Sequence, residues 1–484
     1  MKVTYNYRKY EHRRTCSCVL LAIILLIGLN ACNKGSKDVD PPPGPGPDPH
    51  APGDMILPKK GMRAAWIATV WGLDWPMEQY TMAAQKQKYT AYLDKFKQLN
   101  MNAAFVQIKG MGDAFYNSPY EPWSANITGT RGKDPGYDVL KFMIDEAHAR
   151  NIEFHAWINP FRIATRAGSA TTYPPLHASV QANWVVNHEK WQMYNPAIPE
   201  ARQRLADIVK DIIMKYDVDG IHMDDYFYPD PASAGQMESD AADYQTYGAG
   251  YNTIQDFRRA NVDKAIKAVH DVIVANKPGV VFSISPTSDF DYNKNTLYAD
   301  IKKWATEGWM DVVIPQIYHN NTFATKLTEW DIFNNKPYLM IGHGYYLMNS
   351  SSELTNQFNL TKNKKAVVGN LLYSAKYLND SPDLTTRLAE IFKEPSVIPF
   401  LGRSVAANPA EPQNVRIEGS NLKWEASGTV RSVVYFTADL KQEAKVLAIT
   451  DGKEAAAASA GYYCVTTINT DNKESKASSV VRKQ

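Results

Sequence analysis

Eight short strand-like runs alternate with helical stretches between Gly61 and about residue 400, and a tail of short alternating strands follows. The alternation predicts the α/β class, as a parallel (β/α)8 (TIM) barrel over residues 61–400. The tail, residues 410–484, predicts a small all-β sandwich. A chain of 484 residues with 44% hydrophobic content is more than one ordinary domain would use.

The strand candidates are residues 63–70, 102–108, 153–159, 220–226, 280–285, 311–318, 337–341 and 366–372. Helical patterns between them include 85–99, 137–150, 200–216 and 252–276. A barrel of this kind typically needs ~250 residues, so its loops must be enlarged. The long segments are 109–134, 160–195 and 226–251, and each directly follows a strand. In a barrel they lie on the C-terminal face, where side chains for chemistry gather. A doubly wound open sheet is the alternative, and the lack of a Gly-rich turn after the first strand weighs against it. In the tail, strands are expected at 412–417, 422–425, 432–437 and 462–468.

The N-terminus reads as an address. Lys2, Arg8, Lys9, Arg13 and Arg14 precede an apolar run, 19–29, too short to cross a bilayer but suited to a signal-peptide core. The run ends in Leu29-Asn30-Ala31-Cys32, which resembles a lipobox, with Asn30 unusual in it. We therefore expect a leader over 1–31, lipidation at Cys32 and a membrane-anchored protein of the cell envelope. Cys16 and Cys18 leave with the leader, so Cys464 alone remains and no intrachain disulfide is expected. Residues 32–60 are rich in Pro, Gly and Asp and read as an extended tether. At ~3 Å per residue it reaches roughly 75 Å, enough for a wall or surface layer.

Beyond the leader the charge is nearly balanced, with 48 of the 53 basic and 50 of the 51 acidic side chains remaining. Nothing there favours nucleic acid as a partner. Aromatics reach 11%, with 11 Trp and 28 Tyr. Part of these must fill the core, but flat rings also line clefts that stack on sugars.

Strand alternation tells which side chains point inward. On the fourth strand Ile221 and Met223 face the helices, while His222, Asp224 and Tyr226 face the barrel mouth. Asp225 points away at first and can turn in as the loop begins. On the third strand His155, Trp157 and Asn159 face inward; on the second, Gln107 and Lys109 do. The sixth ends in Gln316 and Tyr318. Any one of these could be an ordinary hydrogen-bonded core residue. Together, on four strands, they predict a functional cleft.

Cleaving a glycosidic bond takes two carboxyl groups, one protonated and one acting as nucleophile or base. Asp224 is the first candidate, with Asp225 beside it to raise its pKa or orient it. Asp289, Asp113 and Glu121 on C-terminal-face loops are candidate partners. The seventh strand, ending Ile341-Gly342-His343-Gly344, offers no carboxylate. A metal-centred hydrolase or deacetylase using His222, Asp224, His155 and Asp225 is an alternative, but no His-x-x-x-His pattern supports it. We expect neither metal nor cofactor.

Several stretches make the family recognisable. They are 63–71, 107–123 (with Gly112-Asp113-Ala114 and Glu121-Pro122-Trp123-Ser124), Glu146-Ala147-His148, Phe154-His155-Ala156-Trp157-Ile158-Asn159-Pro160-Phe161-Arg162, Asn195-Pro196 and 219–226. From about residue 60 to 391 the chain resembles the glycosyl hydrolase-like 10 family, bacterial (β/α)8 barrels of which many are lipoproteins. The resemblance implies glycosidase activity on a polysaccharide, and some relatives cleave peptidoglycan strands stripped of their peptides. Asp224 and Asp225 match the family's most acidic motif. Asp113 and Glu121 match a second acidic stretch, and His155, Trp157, Asn159 and Arg162 match a sugar-binding strand. The resemblance does not itself assign the catalytic pair, and a glycan-binding lipoprotein without turnover remains an alternative. The tail resembles a fibronectin type III module, through Leu422-Lys423-Trp424 and Tyr462-Tyr463-Cys464-Val465-Thr466, with spacing or docking as its expected role.

Overall fold

In the computed structural model, eight parallel strands close into a barrel in sequence order. They are β1 (Met62–Ile67), β2 (Ala103–Lys109), β3 (Glu153–Ile158), β4 (Gly220–Met223), β5 (Val281–Ile284), β6 (Val312–Val313), β7 (Tyr338–His343) and β8 (Val367–Leu372). Met62 pairs with Gly369 where β8 meets β1 and shuts the cylinder. The structure describes residues 54–166, 172–404 and 406–484. The expected leader, Cys32 and most of the tether lie outside the described residues. Among the described residues no helix is long and apolar enough to cross a membrane.

The helices begin where short polar side chains can hold their first free N–H groups. Thr81, Asp138 and Thr253 cap the helices Met82–Gln98, Val139–His148 and Ile254–Asn276. Pro199 opens Pro199–Lys215, where a missing N–H costs nothing. Outward strand residues, Ala104, Val106, Ile108, Phe154, Ala156, Ile221 and Met223, pack with the helices in one core. Inward residues fill the barrel in a second core of Trp66, Phe105, Trp157, Val312, Met340 and Leu371, closed below by Ile398 and Leu401.

Several strands are shorter than their sequence pattern suggests, and two of these carry site residues just past their ends. β6 stops at Val313, and Gln316 joins only by isolated bridges to Thr287 and Gly342. Pro315 has no N–H to give the ladder. β4 stops at Met223, so the alternation that placed Asp225 outward no longer applies there.

The long segment after β3, expected as a loop, folds into its own antiparallel sheet. Arg162–Thr165 pairs with Trp191–Tyr194, which pairs with Val185–His188. The segment after β4 carries the short helices Pro231–Ala234 and Ala241–Tyr247. A buried ion pair pins it: Arg258 Nη2 lies 2.5 Å from Asp240 Oδ1. Arg258 also donates to Met237 O at 2.6 Å and to the Tyr298 hydroxyl at 2.8 Å.

The tail forms two antiparallel sheets, one of three strands (Gln413–Glu418, Asn421–Glu425, Glu454–Ala456) and one of four (Lys445–Thr450, Arg431–Thr437, Gly461–Ile468, Val481–Lys483). Trp424 is buried between them and donates to Ser432 Oγ at 2.9 Å. Tyr463 turns its hydroxyl back to donate to Ser459 O at 2.7 Å. Cys464 is buried in this core as a free thiol. Residues 52–484 form one unit. Met55 and Leu57 pack on the tail's core, Ala444 N donates to Ile56 O at 2.8 Å, and Lys60 pairs with Glu474 at 2.5 Å. The chain thus runs along the tail module before entering β1.

Asp240→Ala would strand the Arg258 guanidinium without its carboxylate. We expect a loss of about 3–5 kcal/mol in unfolding free energy, read from chemical denaturation. A loss below about 1 kcal/mol would contradict the role given to this pair.

Candidate active site

The parallel register sets Trp157 beside His222 and Ile158 beside Met223, so the next residues, Asn159 and Asp224, meet at the mouth. Trp157 Nε1 donates to Asp224 Oδ2 at 3.0 Å and Asn159 Nδ2 donates to Asp224 Oδ1 at 2.8 Å. The Tyr226 backbone N–H adds a longer bond to Oδ1 at 3.4 Å. Asp224 is only 3% exposed. Burial pushes its pKa up, while the nearby Arg162 charge and these three donors hold it back.

Asp225 follows the end of the strand, and its side chain turns into the mouth. Gln316 Nε2 donates to Asp225 Oδ1 at 3.1 Å and also to Ser285 O at 2.9 Å. Burial, and then the charge of Asp224, pushes the Asp225 carboxyl up to about 7. Asp224, with donors on both oxygens, is favoured in its charged form, and Asp225, pushed up to about 7, is the carboxyl favoured to carry a proton.

Two aromatic groups frame the pair. Tyr318, Tyr346 and Tyr373 follow β6, β7 and β8, with ring centroids about 6 Å apart. Burial holds the Tyr318 phenol well above its usual range, so it stays protonated. On the side of β3 and β4, the Arg162 guanidinium sits 4.3 Å from the Tyr226 ring centroid, 5.5 Å from that of Trp191 and 5.9 Å from that of Trp71. Trp71 and Tyr226 are 50% and 44% exposed, flat surfaces open to a ligand.

Six expected site residues lie elsewhere. His222 is one layer beneath the carboxyls, its Nε2 bonded to Trp66 Nε1 (3.0 Å) and Ser285 Oγ (3.2 Å), its Nδ1 to Ser283 Oγ (2.8 Å). Burial, and then the charge of His155, drops its pKa well below the usual range, so it is a neutral packing residue. His155 sits deeper still, paired in register with Gly220, stacked 4.3 Å from Phe105 and 3.1 Å from Glu153 Oε2. Inward-facing it is, but at the barrel's base. A Cβ at Gly220 would come within 2.2 Å of its Nδ1.

Gln107 accepts from the Thr69 and Val70 N–H groups at 3.2 and 2.8 Å, fixing the turn that presents Trp71. Asp113 and Glu121 are buried under the loop after β2. Arg131 lies 3.8 Å from Asp113, and the Tyr194 hydroxyl donates to Glu121 at 2.8 Å. Asp289 caps the helix Phe290–Asn295 by accepting from Tyr292 N at 2.9 Å, and its other oxygen meets Lys326 Nζ at 3.1 Å. Burial alone would raise the Asp289 carboxyl, but Tyr292 N–H and Lys326 outweigh it and the pKa falls. That is the wrong direction for a proton donor.

Among the described residues, no group of three His, Cys, Asp or Glu side chains could hold a metal ion. The metal-centred alternative needed His155 and His222 beside Asp224, and their depth in the barrel separates them from it. Trp71, Trp191, Tyr346 and Tyr373 were missed by strand alternation because all four lie beyond barrel strands or in the inserted sheet.

The family model for Glycosyl hydrolase-like 10 matches residues 61–346. The chain is 36% identical over 394 residues to Glycosyl hydrolase YngK of Bacillus subtilis (strain 168), covering 74% of this chain and 76% of that protein. It is 30% identical over 432 residues to Glycosyl hydrolase DigH of Escherichia coli (strain K12), covering 78% and 96%. Among solved structures, the PgaB (BpsB) glycoside hydrolase domain from Bordetella bronchiseptica aligns at a TM-score of 0.48 and 11% identity, over 68% of this chain and 98% of that one. By the family model and the two curated relatives, the chain belongs to the glycosyl hydrolase-like 10 family.

Proposed function

We propose that this protein is a glycoside hydrolase that cleaves a cell-envelope polysaccharide, with peptide-free peptidoglycan strands as the substrate to try first. The observation that carries this reading is the buried, adjacent carboxyl pair at the mouth, with donors on both oxygens of Asp224 and Gln316 on Asp225. Asp225 gives its proton to the departing glycosidic oxygen. Asp224, held anionic by Trp157 and Asn159, faces the positive charge that builds on the sugar ring, and water then bonds to that carbon and returns a proton to Asp225. The tyrosines after β6, β7 and β8 and the rings around Arg162 stack on sugars either side of the cut. The names of the relatives, both glycosyl hydrolases, support the reaction class.

In the same proposal Cys32 carries lipid and the tail module, fibronectin III-like in outline, is a pedestal. Residues 54–60 run along that module and enter β1 at its N-terminal end, the end of the barrel away from the mouth.

Asp224→Asn and Asp225→Asn should each lower kcat for release of reducing ends by roughly 10²–10⁴-fold with the fold intact. Asp289→Ala should keep its turnover and lose about 0.5–2 kcal/mol of stability as a broken cap. Unchanged turnover in either mouth variant would overturn the assignment, and binding without turnover in the native protein would turn it into a glycan-binding module. The rate should fall as pH rises through about 7, where Asp225 loses its proton. Gln316 donates to the charged form of Asp225, so Gln316→Leu should move that alkaline limb to higher pH. A limb that stays put, or moves down, would contradict the role of Asp225.

A further inference from the structure

Arg162 is 6% exposed, yet among the described residues its guanidinium makes no hydrogen bond and no ion pair. Its backbone is fixed, since Arg162 N donates to Asn159 Oδ1 at 2.7 Å. Its side chain lies against the rings of Trp71, Trp191 and Tyr226, and its charge is felt by both Asp224 and Asp225. Rings steady a cation but do not satisfy its N–H donors, and these nitrogens keep a solvent-facing edge with acceptors still wanting. The nearest acids do not supply them. Asp224 feels the Arg162 charge, but its oxygens already accept from Trp157, Asn159 and Tyr226 N. Asp225 is bonded to Gln316. Beside Arg162 lies a small recess lined by Trp191, Met193, Tyr226, Tyr228 and Asp230. Asp230 is engaged too, by Ala232 N at 2.9 Å and by the Tyr292 hydroxyl.

We propose that Arg162 is a carboxylate-reading subsite, which selects glycans whose sugar next to the cleaved bond carries a free carboxylate. The planar fork of a guanidinium fits a carboxylate in two parallel bonds, and the surrounding rings exclude water from that pair. Two sugars offer this chemistry: one with a lactyl ether on the ring, and a uronic acid. The inference rests on the glycosidase reading for where the sugar lies, and it adds the substrate's charge. A glycan strand stripped of its peptides offers that charge. Removing the peptide turns the lactyl amide into a free carboxylate, which is what Arg162 would bind.

The test is binding, measured by calorimetry on the full-length Asp224→Asn protein so that the ligand survives. The ligands are a wall tetrasaccharide with free lactyl carboxylates, the same compound amidated, a neutral chitotetraose and a tetra-uronate. The expected result is at least about 10-fold tighter binding of one carboxylate-bearing ligand than of its neutral counterpart, with the arm that binds naming the sugar. Adding Arg162→Met should erase that difference while neutral binding persists. Arg162→Lys, which keeps the charge and loses the fork, should recover only part of it. The proposal is overturned if free and amidated ligands and the uronate bind alike, or if the preference survives Arg162→Met. Carboxylate preference without turnover of any glycan by the unmodified protein would remove the glycosidase reading and leave the subsite standing.

Discussion

The hydrogen bonds from Trp157 and Asn159 to Asp224 cross from one barrel strand to its neighbour. They exist because β3 and β4 pair in parallel with Trp157 level with His222. A slip of one residue would send these side chains out among the helices. Once Asp224 is held as an anion, the neighbouring carboxyl cannot easily ionise in the same dry site. Burial, and then that neighbouring charge, pushes the Asp225 carboxyl up to about 7. A single strand register thus leads to a proton donor and a fixed charge on consecutive residues.

Other parts of the barrel serve to hold that register. Beneath the mouth, His222 knits β4 to β5 and to Trp66 on β1 as a neutral ring. Around it, charged side chains are buried in groups that fix loops. Asp113 and Glu121 hold the segment after β2, and Arg258 with Asp240 holds the one after β4. Arg162 differs from these, because its guanidinium lies among the rings of Trp71, Trp191 and Tyr226. At the far end of the barrel, the tail module meets the base, where Asn472 Nδ2 donates to Glu153 Oε1. Mouth and module sit at opposite ends of the same strands.

Much of this was readable in the residues. Alternation along Gly220–Met223 places Ile221 and Met223 against the helices and Asp224 at the tip. It fails one residue later, because a strand that has ended no longer alternates, and Asp225 turns in. Alternation also gives direction without depth. His155 and Trp157 both face inward, but His155 is level with Gly220 and packs in the base. The sheet after β3 was hidden for a different reason. Val185–His188 and Trp191–Tyr194 are joined by Glu189 and Lys190, with no Asn or Gly to mark the turn, although Glu189 adopts a φ of 51°. Asp289 looked catalytic because it follows a strand. Its cap role depends on a six-residue helix that the pattern does not show.

The central claim is that one carboxyl at the mouth stays protonated near neutral pH while its neighbour is charged. Infrared difference spectroscopy across a pH titration reads this directly, through the carboxylic C=O band. The account predicts a band lost as pH rises through about 7, absent in Asp225→Asn. If every carboxyl band is gone by about pH 5, or if the band near 7 persists in Asp225→Asn, the account is wrong.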